Sequence, residues 1–197
     1  GTGKSLWARN TCQDALWVDL LDPETYRLYS SRPERLREVI EGNPKKSTVV
    51  LDEVQKVPEL LTVVHGIIED RSRLRFVLTG SSARKLKRGG VDLLAGRALV
   101  RSLHPFMAAE LGERFRLDAS LRYGLVPLVV ASADPGEVLK AYHALYLREE
   151  VQQEGLVRNI GNFSRFLEAI SFSHASVMTV ANVARECEVE RKTVEGF

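Results

Sequence analysis

Three short apolar runs, separated by stretches of helical periodicity, set the strongest limit on what this chain can fold into. Residues 15–20 ("ALWVDL"), 47–51 ("STVVL") and 74–79 ("LRFVLT") are rich in β-prone side chains and too short for helices. Between the first two, residues 23–41 carry Pro23 and Pro33, each suited to the first turn of a helix. Between the last two, residues 58–70 set Leu60, Leu61, Val64, Ile67 and Ile68 at helical spacing. Strands that alternate with helices need crossover connections, so the expected class is α/β with a mainly parallel sheet flanked by helices. Such a sheet is covered on both faces, which explains why "TVVL" and "FVL" are unbroken apolar runs. Residues 98–102 are expected as a weaker fourth strand.

Past residue 103 the strand pattern stops. Helices are expected over 104–111, 117–123, 135–147 and 162–170. A short amphipathic helix over 179–187, a three-residue turn and a second helix over 191–197 have the rhythm of a helix-turn-helix. The domains read from this pattern are 1–103, 104–175 and 176–197.

Composition narrows the function classes. The chain has 197 residues, 44% hydrophobic and 27% charged, with a net charge of +2, so its total charge selects neither nucleic acid nor acidic partners. Cys12 and Cys187 have no metal-site spacing and form no disulfide framework. No apolar run approaches the ~20 residues that cross a bilayer, and no secretory leader is visible, so a cytoplasmic protein is expected.

The ends of the strands carry the chemistry. The chain opens Gly1-Thr2-Gly3-Lys4-Ser5, which matches the second half of the phosphate-binding loop G-x-x-x-x-G-K-[ST]. Glycines let backbone N–H groups reach phosphates, the lysine reaches the β- and γ-phosphates, and the hydroxyl binds Mg²⁺. The first glycine of the full motif would fall three residues ahead of Gly1. A flexible loop with a solvated lysine can give the same five letters. The run "TVVLDE" then ends a strand in Asp52 and Glu53. An Asp there helps to hold Mg²⁺, and an adjacent Glu can act as general base toward water. Two solvated acids closing a strand are the bland alternative. "FVLTGSS" ends another strand in Thr79, Ser81 and Ser82. Thr79 reads equally as a γ-phosphate sensor or as part of a turn, and the two serines read better as helix caps.

Residues 71–101 hold nine basic residues (Arg71, Arg73, Arg75, Arg84, Lys85, Lys87, Arg88, Arg97 and Arg101) against one acid, Asp92. Most suit a solvated surface. Arg97, in "LLAGRALV", is the candidate arginine finger for phosphoryl transfer, with a buried structural ion pair as the alternative.

Taken in order, "GTGKS", "LWVDLLDPE", "VVLDEVQKVPELL", "FVLTGSSARKL", "LLAGRA", "HPFMAAELG", "LRYGLVPLV" and "AYHALYLREEVQ" resemble the predicted prokaryotic ATPases of the AAA+ superfamily. The resemblance runs the length of the chain. It implies a P-loop ATPase domain with Walker A and Walker B elements, then a helical region with a winged helix. A C-terminal domain similar to restriction-endonuclease folds would come last, beyond Phe197. It implies ATP and Mg²⁺ at Gly1, Thr2, Gly3, Lys4, Ser5, Asp52 and Glu53, with Ser5 and Asp52 on the metal. The function expected is an ATP-hydrolysing switch that drives an effector domain, with self-association as an option. The alternatives are a DNA-binding regulator with slow or absent hydrolysis, acting through residues 179–197, and a kinase-like transferase. Residues 176–197 carry three basic residues and four acids, so packing is favoured over DNA readout for the helix-turn-helix.

Overall fold

The computed structural model describes residues 2–70, 73–80, 94, 96–145, 159–173 and 176–196. The chain divides into two compact units, Gly1–Glu110 and Leu111–Phe197.

The first unit is built on three parallel strands, β1 (Leu16–Asp19), β2 (Thr48–Asp52) and β3 (Arg75–Leu78), in that spatial order. The central strand explains the unbroken apolar run: Val49, Val50 and Leu51 of β2 are fully buried. Covering such side chains contributes roughly 1.5–3 kcal/mol each, and a charge at Val50 would add the cost of burying it unpaired. Helix α1 (Lys4–Thr11) precedes β1. Arg9 ties the two together, with its guanidinium 4.5 Å over the Trp17 ring and 3.4 Å from Asp19. Helix α2 (Pro23–Ser31) starts where Asp22 accepts the Thr25 N–H at 2.8 Å and Pro23 occupies the first turn. Pro33 lies two residues ahead of α3 (Arg35–Glu41). Helix α4 (Leu60–Asp70) forms the crossover from β2 to β3 and buries Leu60, Leu61, Val64 and Ile67 in the core beneath the sheet.

Two expectations in this stretch are corrected. Residues 98–102 form no strand. Leu99 and Val100 are 85% and 75% exposed, and no hydrogen-bonded neighbour lies beside them among the described residues. β-propensity is expressed only where a partner strand supplies pairing and burial. The helix expected over 104–111 is confined to α5 (Ala108–Leu111). The Glu110 carboxylate reaches back to accept the Met107 N–H at 2.8 Å, which fixes the start there.

The second unit contains helices and no strand among its described residues. It comprises α6 (Leu117–Tyr123), the short α7 (Pro127–Val130), which was not expected, α8 (Pro135–Leu145) and α9 (Ile160–Ser171). After these come α10 (Val180–Glu186) and α11 (Arg191–Glu195). Positions 146–147 of the expected third helix lie outside the described residues. Phe163, Phe166, Val183, Ala184, Cys187 and Val194 share one core, so residues on both sides of position 176 pack together. The turn between α10 and α11 passes through Glu188 at φ 55, the left-handed conformation for which glycine is the usual choice. No described helix is long and apolar enough to cross a membrane.

Candidate functional site

Parallel pairing brings the carboxyl ends of the strands into line. Asp19 lies opposite Asp52, and the Thr79 N–H donates to Leu51 O at 3.0 Å, which extends the ladder one residue past β3. Ligands of open parallel sheets bind beyond these ends. Asp52 is buried there, 2% exposed, and among the described residues it has no ion-pair partner. Instead its Oδ1 accepts two hydroxyls. Ser5 Oγ donates at 3.0 Å, and the buried Thr79 Oγ1 donates from the other side. Thr79 also accepts the Glu53 N–H at 3.1 Å, so one threonine holds both acids of the "DE" pair.

Glu53 itself sits at φ 59, ψ 44, a left-handed conformation unusual for a residue with a side chain. The next residues, Val54–Lys56, make one 3-10 turn, and the Val54 N–H donates to Thr79 O at 3.0 Å. Within that turn the Gln55 side-chain amide donates to Glu53 Oε2. Gln55 was not singled out from sequence, because the reversal at Glu53 that brings it within reach has no glycine or asparagine to announce it.

Gly3 adopts φ 83 ahead of α1, a conformation in which a Cβ would be strained. No side chain caps α1 and its first turn carries no acid, so the start of the helix suits an anion. The Lys4 ammonium lies 3.3 Å from Thr2 Oγ1 and makes no ion pair with a described residue. Thr2, Gly3, Lys4 and Ser5 are therefore next to the strand-end acids, joined through the Ser5–Asp52 contact. Gly1, Ser81, Ser82 and five of the nine basic residues (Arg71, Arg84, Lys85, Lys87 and Arg88) lie outside the described residues.

Arg97 is not brought to this cluster. Its guanidinium is 2.8 Å from Glu69, and both side chains are half-exposed. Helix α4 returns from the end of β2 to the start of β3, so Glu69, near its far end, lies toward the amino ends of the strands, away from the site. Eleven residues of helix span about 16 Å. Arg97 thus makes an ion pair at the surface, not the buried pair that was the alternative to a finger.

The oxygen pair Ser5–Asp52 fits a hard cation that takes the rest of its shell from phosphates and water, as Mg²⁺ does in phosphate-bound sites. No group of three or more His, Cys, Asp or Glu side chains among the described residues could hold a metal by itself.

A parallel sheet with hydroxyls, a lysine and paired acids gathered at its strand ends defines a nucleotide-binding α/β domain of the phosphate-loop kind. The chain belongs to the AAA domain family, whose model matches residues 1–112. Residues 114–197 match a domain of unknown function, DUF8612. No curated protein and no solved structure matches the chain.

Proposed function

We propose that the chain binds ATP with Mg²⁺ at the strand-end cluster and hydrolyses it, serving as a molecular switch. The observation that carries this reading is the contact between Ser5 and the buried carboxylate of Asp52 across 47 residues of sequence. It unites the two half-motifs that the reaction needs. Lys4 and the first-turn N–H groups of α1 bind the phosphates, and Ser5 and Asp52 hold the cation. Held by Ser5 and Asp52, Mg²⁺ would supply positive charge to offset the negative charge that develops during hydrolysis. Glu53 accepts the proton of the attacking water. Thr79 keeps Asp52 and the Glu53 backbone in register. The helix-turn-helix is read as a packing module, since Arg191 is paired with Glu195 at 2.9 Å and Val183 and Val194 are buried in a local core.

The test is calorimetric titration of the intact protein with ATP and Mg²⁺. Lys4→Ala should abolish binding, and unchanged affinity in this variant would overturn the assignment.

A further inference from the structure

We infer that Gln55 is a positioning residue that aims the Glu53 carboxylate, so that the rate of hydrolysis, but not nucleotide affinity, depends on its side-chain amide. The inference rests on reading Glu53 as the general base. The backbone of Glu53 is fixed from two sides. Its own N–H donates to Thr79 Oγ1, and the following N–H, of the fully buried Val54, donates to Thr79 O. Neither bond fixes the Glu53 side chain, which keeps three rotatable bonds of its own. The contact that does so is the Gln55 Nε2–H donated to Oε2.

Gln55 is suited to that task. It lies in the short Val54–Lys56 turn between two buried valines, Val54 and Val57, so its backbone cannot drift. It is half-buried, and its Oε1 is out of contact with solvent, which restricts the amide plane. The amide engages one carboxylate oxygen and leaves Oε1 of Glu53 to take a proton from water. An amide is neutral over the whole working pH range, so it orients the base without the positive charge by which a lysine in its place would lower the carboxylate's basicity. General-base catalysis needs its acceptor within hydrogen-bond reach of the water, and small misplacements are costly in rate.

The experiment measures ATP affinity by calorimetry and turnover by phosphate release for Gln55→Ala, Gln55→Met, Glu53→Gln and the double variant Glu53→Gln/Gln55→Ala. Methionine keeps the length and volume of glutamine but has no donor. Both Gln55 variants are expected to lose about tenfold to a hundredfold in kcat, with ATP affinity within about twofold of the parent's. In the Glu53→Gln background, Gln55→Ala should cost nothing further, because the group it aims is already gone. Wild-type turnover in Gln55→Met would assign the residue to packing alone. A multiplicative loss in the double variant, or faster turnover in Gln55→Ala, would equally overturn the inference. If Glu53→Gln itself turns over at the wild-type rate, the general-base reading fails, and the inference with it. If Glu53→Gln is slow while both Gln55 variants are fast, only the inference fails.

Discussion

Replacing Thr79 by valine tests how the two acids are held. The two side chains have nearly the same shape, so the change deletes a hydroxyl and leaves no cavity. That hydroxyl, on a residue only 7% exposed, donates to the Asp52 carboxylate and accepts the Glu53 N–H at 3.1 Å. A hydrogen bond to a charged group is worth about 1.5–3 kcal/mol, and leaving a shielded donor unmet adds to the loss. The added methyl returns at most about 0.8 kcal/mol. The net expectation for Thr79→Val is a loss of about 2–3 kcal/mol. Thr79→Ser keeps both hydrogen bonds and should lose only about 0.8 kcal/mol with its methyl. Hydrophobicity alone ranks the two variants the other way, with valine the more stable. Urea denaturation followed by tryptophan fluorescence reports on this unit, since Trp7 and Trp17 both belong to it. A valine variant as stable as the parent, or a serine variant less stable than the valine one, would refute the reasoning.

Two further outcomes follow from the same contacts. Arg97→Ala should leave turnover within about twofold of the parent's and cost at most ~1 kcal/mol of stability, the scale of a half-exposed ion pair such as Arg97–Glu69. A large loss of turnover at unchanged ATP affinity would return Arg97 to the role of a finger. Cys187 is fully buried, and burial pushes its thiol up from the ordinary range, with Glu186 adding to the effect. The thiolate is the reactive form, so mass spectrometry after mild alkylation at pH 8 should find the half-buried Cys12 modified first and Cys187 modified only on unfolding.

What was legible in the sequence depended on whether the deciding physics was local. Strand β2 was legible because both its faces are buried, which leaves an unbroken apolar run that no surface element would carry. The link between Ser5 and Asp52 was legible despite their separation, because a phosphate loop and an acid-ended strand are chemically incomplete without each other. Residues 98–102 misled because a strand is a property of a pair, and composition reports only one member. The ion pair of Arg97 was not legible because its partner, Glu69, is 28 residues away on a helix whose direction is set by the crossover. The contact of Gln55 with Glu53 was invisible because it depends on the backbone reversal at Glu53, which a glutamate does not advertise.

The most direct test of the central claim is ATP binding and hydrolysis by the intact protein carrying Glu53→Gln, measured side by side with the parent. The substitution keeps the size of the side chain and removes its ability to take a proton. Asp52, Ser5 and Lys4, which hold cation and phosphates in this account, are left in place. ATP should bind with parental affinity in the presence of Mg²⁺, while turnover falls by about a hundredfold or more, the scale of lost general-base catalysis. Parental turnover, or loss of binding together with turnover, would contradict the account.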